Sequence, residues 1–560
     1  MKRLCLLLIF LVGGCSRSFQ DIDKRVDAVM SAASGSMGAN HPSPTIFSSN
    51  GSGSVLTNSN PTTLNPSAEE LGFTPATPLD EDEISKSLDR AAEDLAAASE
   101  VISLEDSLVW ADTNAREMQF AQYDYLSSTL GLLKELHVWG PRFFNTISSN
   151  ITATSTNGLY DTSLAVVNDF SITQKLENGG SLSAGALTNI ARDIHSITVD
   201  NSSSSSVHLL LDIPLLRGSG AVARESLIQA KRDLVYAARS YERFRRTFYR
   251  SIVGDYLSLV VQKQSLQNAQ RGVDALRQLA ERQAALYESG RTRLYDSADA
   301  ENQALAAVAR LSQSWERYRL ALDRFKIRIG WPVNSVIQVQ PTALGVVPPE
   351  VVVSEVVQGA LVLRLDLQNE KDRVVDTRRS VENSFNALLP ELRVTARATT
   401  DSEENSLAKF NGEDVDYLAG LSLSLPLDRE SERISVRQEQ IALERARRTY
   451  RESRDSVAVS VRSALRNIEV YQFTFELQER NVKIAQLGLD SINADPDRVS
   501  VLDQTRAISD LQSAQDARDS AKRDLELSIL DYLLQAGRLR INSDGNLLLP
   551  TLTSESTYNL

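Results

Sequence analysis

Few residues in this 560-residue chain could do chemistry, and their spacing excludes most of it. The two cysteines, Cys5 and Cys15, both fall in the first 15 residues, so neither can staple a core. The four histidines, His41, His137, His195 and His208, have no ligand-like spacing. That pattern argues against a zinc site and against a thiol enzyme. Gly218-Ser219-Gly220 precedes a helical stretch but is too short to cradle a phosphate. No catalytic residue, metal or cofactor is therefore expected. A net charge of -13 lacks the basic surface that a nucleic-acid partner needs. What remains is one thiol, Cys15, and three carboxylates at breaks in long helical stretches: Asp296, Asp299 and Asp503.

The thiol has a telling context. Lys2 and Arg3 precede an apolar run, Leu4 to Val12, that is too short to span a bilayer as a helix. Gly13 and Gly14 then lead into Cys15. The run resembles a bacterial lipoprotein signal, in which residues 1–14 are removed and the Cys15 thiol carries a diacylglycerol. A plain secretory signal cut nearby is the alternative. Ser16, where an aspartate favours inner-membrane retention, is compatible with outer-membrane sorting. Residues 15–100 are expected to be a flexible tether and a short helix. The part from 16 to 80 is rich in Ser, Asn, Pro, Thr and Gly and cannot bury enough apolar surface to offset its ordering entropy. A helical pattern follows near 83–99.

The tip carboxylates need long helices to carry them. Residues 215–331 contain no proline, and Leu259, Leu266, Val273, Ala280 and Tyr287 recur every seven positions. Ala269 and Leu276 form a second stripe, as in a coiled-coil seam. The pattern breaks at Ser289-Gly290-Arg291-Thr292 and resumes as Leu311, Trp315, Tyr318, Leu322 and Phe325. Two antiparallel helices joined at a tight tip are predicted. The first, Ala221 to about Ser289, would be roughly 100 Å long. A second pair has its seam at Val461, Ile468, Phe475, Val482 and Leu489, with Ala464, Tyr471 and Ala485 beside it. Its tip is at Asn493 to Asp497, and its return helix carries Leu511, Ala514, Ala521, Leu525 and Tyr532 up to Gly537. Shorter helices are expected from Ser103 to about Val138, with Asp106 as a capping partner, and from Val353 to about Leu388.

Between these helices the period changes to two. Phe170 and Ile172 alternate with polar neighbours, as do Leu182, Ala184 and Ala186 after the Asn178-Gly179-Gly180 turn. Ser202 to Ser206 reads as a loop before Val207, Leu209, Leu211 and Ile213. The later segments are Leu392, Val394, Ala396 and Ala398, then Leu421, Leu423 and Leu425. Four strands per chain are predicted. The order helix, strand, loop, strand, Pro-Leu, long helix, tip, return helix occurs twice, which is an internal repeat. Repeat 1 spans 101–340 and repeat 2 spans 341–540, with a loosely ordered tail at 541–560. The fold class is mainly α with a small β part.

One apolar and one Ser/Thr/Arg face per strand fit a membrane barrel, although a half-buried soluble sheet alternates in the same way. Four strands cannot close a barrel, and open edges are not tolerated in lipid. The barrel would then be shared among chains, three of which give twelve strands. A lipid-anchored periplasmic coiled-coil scaffold without a pore is the rival reading.

Several motifs together carry a resemblance. Pro214-Leu215-Leu216-Arg217-Gly218 stands at a strand-to-helix junction and returns as Pro426-Leu427. Ala360, Arg364, Asp366 and Leu367 open the second half. Gly290, Asp296, Asp299 and Ala300 mark one tip, and Val501-Leu502-Asp503 the other. In this the chain, from about 100 to 540, resembles the TolC-like outer-membrane efflux protein family, in its lipoprotein branch. The resemblance implies a homotrimer with a 12-stranded β-barrel in the outer membrane above an α-helical periplasmic tunnel. It implies a periplasmic adaptor and an inner-membrane pump as partners, outer-membrane lipids around the barrel, and export without catalysis. It also implies a gate at the tips, where helices untwist. Gly290 would mark that gate's turn, and inward carboxylates at Asp296, Asp299 and Asp503 would then ring the narrowest point, favour cations and raise one another's pKa. The second tip departs from the pattern, with Ala494 for glycine and Ser500 for the first aspartate. Arg291 and Arg293 are expected to pair with tip carboxylates. Arg393, Arg397, Ser422 and Ser424 are expected to face a lumen.

Overall fold

The computed structural model describes residues 19–36, 100–156, 159–195, 202–342, 344–403, 405–494, 499–542 and 547–548. Cys15, the signal segment and the helical pattern at 83–99 lie outside the described residues, as does most of the tail.

The tether reading is corrected at its start. Residues Phe19–Ser36 form α1. Val26 and Met30 are buried against Tyr125, Leu132, Leu133, Leu234 and Ala238, with Ile22 and Val29 beside them. One apolar stripe at helical spacing is enough to fold when a long helical surface is there to receive it.

The next elements are β1 (Glu100–Ile102), α2 (Leu104–Asn114) and α3 (Arg116–Val138). Ser103 and Asp106 form the capping box expected of them. The single helix predicted here is two, because Ala115 adopts an extended backbone, φ -69° and ψ 128°. Ala115 is fully buried, so packing holds the break. Four strands follow: β2 (Arg142–Thr156), β3 (Leu159–Lys175), β4 (Ser181–His195) and β5 (Ser202–Pro214). The chain then enters α4 (Glu225–Glu288), turns, and returns as α5 (Leu294–Ile329). Strand β6 (Ile337–Val339) pairs in parallel with β1.

A second round begins with α6 (Val353–Leu363) and α7 (Leu365–Asn386), again broken where one helix was expected, at the extended Arg364. Strands β7 (Glu391–Asp401) and β8 (Asp416–Ser424) precede α8 (Glu430–Ala494) and α9 (Val501–Gln535). The short pair β9 (Arg540–Ile541) and β10 (Leu547–Leu548) follows. Helices α4 and α8 have 64 and 65 residues, about 95 Å each. The predicted seam is buried at Leu259, Leu266, Val273 and Leu276, and at Leu311, Tyr318, Leu322 and Phe325. It is buried again at Val461, Ile468, Ala521 and Tyr532. No helix among the described residues is long and apolar enough to cross a membrane.

The strand count is the main correction. The large sheet has six strands, in the order β2-β3-β4-β5-β7-β8, all antiparallel. Five of the six are the alternating segments read from the sequence, which were counted as two per repeat and so as four; the sixth, β2, escaped that reading because Asn145 and Ser149 interrupt its apolar alternation. Pairing along its whole length with β3, from Arg142↔Thr173 to Thr156↔Leu159, makes it a strand regardless. Ser202 to Ser206, expected as a loop, are strand too, since β4 supplies backbone partners from Ala191 to Leu187.

The helices form a layer with the same lateral order as the sheet. Next to the sheet, α3 packs on α4, α4 on α7, and α7 on α8. Further away α5 packs on α4, α4 on α9, and α9 on α8. One side of the molecule is thus β8 and α8; the other is β2, α3 and α5.

Candidate channel wall and helix-tip site

Residues paired across an antiparallel ladder project to the same face. One row crosses the sheet as Phe143, Ile172, Ala184, Leu209, Ala398 and Tyr417. Its neighbours on that face include Ile147, Ile151, Leu164, Val166, Ile190, Leu211, Ile213, Val394 and Leu421. Phe143, Ile147 and Ile151 are 50%, 60% and 69% exposed, and Leu421 and Leu423 are 69% and 57% exposed. A continuous apolar face left this open to water is unfavourable, so it fits an apolar solvent.

The opposite face carries Arg142, Thr173, Ser183, Leu210, Arg397 and Leu418 in one row, and Asp212, Thr395 and Gly420 in another. Arg393, Ser422 and Ser424 belong to it, so the four polar residues read from the sequence share one face. Arg393 is paired with Asp212 across the strands and with Glu391, 2.5 Å away.

Below the sheet a charged network ties α7 to α4. Arg239 donates to Asp372 at 2.6 Å, and Arg379 to Glu225 at 3.0 Å and Asp376 at 2.8 Å. Arg232 pairs with Asp376, and the Tyr236 hydroxyl donates to the same carboxylate. Burial, then the Asp376 charge and hydrogen bond, push the Tyr236 phenol up to about 12. The network fixes the angle at which the helices leave the sheet.

Further down, α4 and α9 run antiparallel. Their contacts descend in step: Gly254 with Leu527, Asn268 with Asp516, Gly272 with Gln512. The two helical hairpins therefore end together, at the pole opposite the sheet. Asp516 accepts from Ser265 Oγ at 3.0 Å and from Asn268 Nδ2 at 2.7 Å. Asn268 is 3% exposed. Asp516→Ala is expected to cost about 1–3 kcal/mol by leaving that buried amide without its acceptor, read as a shift in thermal midpoint. Burial raises the Asp516 pKa against those two bonds. The folded protein then holds this proton more tightly than the unfolded chain does. Stability falls as pH rises from the ordinary carboxylate value through the raised one. Asp516→Asn and Asp516→Ala are both expected to flatten that slope, since neither side chain titrates, and Asp516→Ala is expected to lower the curve as well.

At the first tip, α4 ends with Gly290 at φ +74°. Gly290 N donates to Tyr287 O at 2.9 Å and Arg291 N to Leu286 O at 2.9 Å, the two bonds of a Schellman cap. Asp296 and Asp299 follow one turn apart on α5, both half-buried. Asp296 accepts from Thr292 Oγ1 at 3.5 Å. At the second tip Ser500 is the cap of α9: its Oγ accepts from Asp503 N at 3.2 Å and donates to Asp503 Oδ2 at 2.6 Å. Ser500, read as a departure from the tip pattern, is thus the residue that starts the helix. Asp503 completes the cap and is exposed. The pairing expected of Arg291 and Arg293 is not found among the described residues. Both are exposed, and an ion pair in water gains too little to immobilise two long side chains.

This architecture, a two-faced sheet on helices of about 95 Å, is similar in fold to solved outer-membrane channels. The chain matches the outer membrane channel CmeC of Campylobacter jejuni with a TM-score of 0.61 at 14% identity, covering 78% of this chain and 85% of that one. It matches VceC of Vibrio cholerae at 0.60 and 14%, covering 78% and 96%. For MtrE of Neisseria gonorrhoeae in its open state the values are 0.56 and 14%, covering 79% and 90%. Among curated proteins no sequence matches. Residues 356–525 match the family model described as outer membrane efflux protein. The resemblance to the TolC-like outer-membrane efflux protein family, read from the motifs, is borne out.

Proposed function

We propose that the protein is the outer-membrane exit duct of an efflux or secretion assembly, passing solutes from the periplasmic side to the outside. The observation that carries this reading is the apolar face whose row from Phe143 to Tyr417 crosses all six strands, backed by a polar face on the other side. The sheet would lie in the outer membrane, the helices would line a periplasmic tunnel, and Cys15 would carry a lipid. An adaptor and an inner-membrane pump would dock at the helical end.

The two sides of the molecule support assembly into a closed ring, which the family resemblance sets at three copies. On α8, Val470, Phe473, Leu477, Ile484 and Leu487 are 60%, 68%, 44%, 67% and 69% exposed. They step by three, four, seven and three, a second coiled-coil seam with no helix on it among the described residues. On the other side α5 exposes Leu305, Leu320 and Ile327, and α3 exposes Phe120 and Tyr123. A seam on one side and a different apolar surface on the other is a head-to-tail arrangement, which closes as a ring.

The mass of the detergent-extracted protein, with the micelle subtracted by light scattering, is expected to be that of a trimer, and the trimer is expected to conduct in a planar bilayer. A monomer that does not conduct would leave the lipid-anchored scaffold instead. Asp296 and Asp299 are proposed as a carboxylate ring at the closed tip, with Asp503 near the same end. Replacing both Asp296 and Asp299 with alanine is expected to lower cation selectivity several-fold, seen as a smaller reversal potential in a salt gradient. An unchanged reversal potential would remove these residues from the gate.

A further inference from the structure

We propose that β8 of one copy pairs with β2 of the next, so that three copies close an 18-stranded barrel, wider than the twelve-stranded one the sequence suggested. This rests on the channel reading above. Strands β2 and β8 are the two ends of the sheet, each hydrogen-bonded on one side only among the described residues. Their exposed apolar side chains lie on the same face as those of the four strands between them. In a hydrocarbon solvent an unpaired strand edge has no water to bond, so both edges must be covered. Strand β8 runs directly into α8, and α3 runs directly into β2. The same neighbouring copy therefore covers the strand edge and the helix seam together.

The register carries a second, independent argument. The hydrogen-bonded row that starts at Arg142 crosses Thr173, Ser183, Leu210 and Arg397 and meets β8 at Leu418. Strand β8 continues six residues further, to Ser424, before reaching the helical side. Six residues at ~3.3 Å are about 20 Å, and five strand-to-strand steps at ~4.8 Å are about 24 Å. The strands thus lean about 40° from the perpendicular to their base, within the tilt that closed barrels use. A flat sheet, or a hairpin laid against the outside, has no need of this stagger. The extra hairpin β2–β3 takes part in it: Arg142 sits two residues above the level of Lys175, as Asp212 and Arg393 mark equal slips later on.

Three copies of six strands give eighteen. At a common tilt of about 40° the backbone diameter would be about 35 Å, against about 24 Å for twelve strands. The outlet would then pass bulkier solutes than the strand count read from the sequence allows.

Continuing the slip between copies by two residues or by none sets Leu421 of one copy opposite Ile147 or Asn145 of the next. The test uses the full-length protein extracted in detergent. Single-particle imaging of the oligomer is expected to show eighteen strands. Leu421→Cys combined with Ile147→Cys or with Asn145→Cys is expected to yield covalent trimers on a non-reducing gel, whereas Leu421→Cys with Ala165→Cys is not. A trimer with a twelve-stranded barrel, the β2–β3 hairpin lying outside it, would overturn the proposal and leave the channel reading intact. A particle with the mass of a monomer would overturn both.

Discussion

Asp112→Ala is expected to destabilise the protein by about 3–5 kcal/mol, because it strands a buried positive charge. Arg245 on α4 is 1% exposed. Its Nε is 3.2 Å from Asp112 on α2, and its Nη2 donates to Asn542 O at 3.1 Å. The guanidinium also lies 5.5 Å from the Tyr249 ring. Burial, the largest single influence, lowers the Arg245 pKa, but the charge interactions with Asp112, Tyr249, Tyr241 and Glu242 together more than offset it and the net shift is upward. The guanidinium therefore cannot escape the loss of Asp112 by releasing its proton. Because these contacts join α2, α4 and the C-terminal segment, the variant is expected to lose that segment's docking first, seen as hydrogen exchange at Leu539 and Ile541. Removing both charges, as Asp112→Leu with Arg245→Met, is expected to recover most of the loss. A double variant as unstable as Asp112→Ala alone would show that packing, not the buried charge, sets the cost.

Gly179→Val is the second large effect, and it falls on the turn between β3 and β4. Gly179 has φ +94°, and a Cβ there would lie 2.5 Å from Gly218 O and 2.9 Å from Ala223 Cβ. The turn is held by Leu176 N to Gly180 O at 2.8 Å and by the Asn178 side chain accepting from Gly180 N at 3.0 Å. Gly220 N donates to Asn178 O at 3.3 Å, so the turn docks against the strand-to-helix junction. The strained backbone and the clash together are expected to cost about 3–5 kcal/mol. Gly220→Ala is the control: it has φ +72° but nothing within 4 Å of its Cβ, so about 1–2 kcal/mol is expected. Thermal loss of the sheet signal in detergent measures both. Equal midpoints would mean that the docking of this turn contributes nothing, and that the β3–β4 hairpin is free of the junction beside it.

The readings that survived rest on local periodicity. Leu259, Leu266 and Val273 repeat at seven because a helix returns to the same face at that interval, so a long helix was visible before any contact was known. Gly290 marked a tip because an αL residue is needed to end α4 with satisfied carbonyls. Ser103 and Asp106 marked a cap because both partners lie within one turn. The alternation at Leu182, Ala184 and Ala186, and at Val207, Leu209 and Leu211, assigned those residues to the correct face, since period two needs no partner strand to be recognised.

The residues that misled have their reasons elsewhere in the chain. Strand β2 carries Asn145 and Ser149 on its apolar face and is a strand because β3 lies beside it. Ser202 to Ser206 would be a loop alone; β4 and the Ser402 hydroxyl, which accepts from Ser205 N at 2.8 Å, make them strand. Helix α1 exists because Tyr125, Leu132 and Leu234 offer a surface to Val26 and Met30. Asp503 looked like a free gate carboxylate until Ser500 was found bonded to it.

By itself, then, the sequence determined which segments are long helices, where they turn and which way the clear strands face, because these follow from side-chain spacing along one chain. The number of strands, the breaks at Ala115 and Arg364, the docking of α1 and the partners of the tip carboxylates were decided by tertiary structure. Each depends on a backbone group or side chain supplied from far away in sequence, and no local period records that.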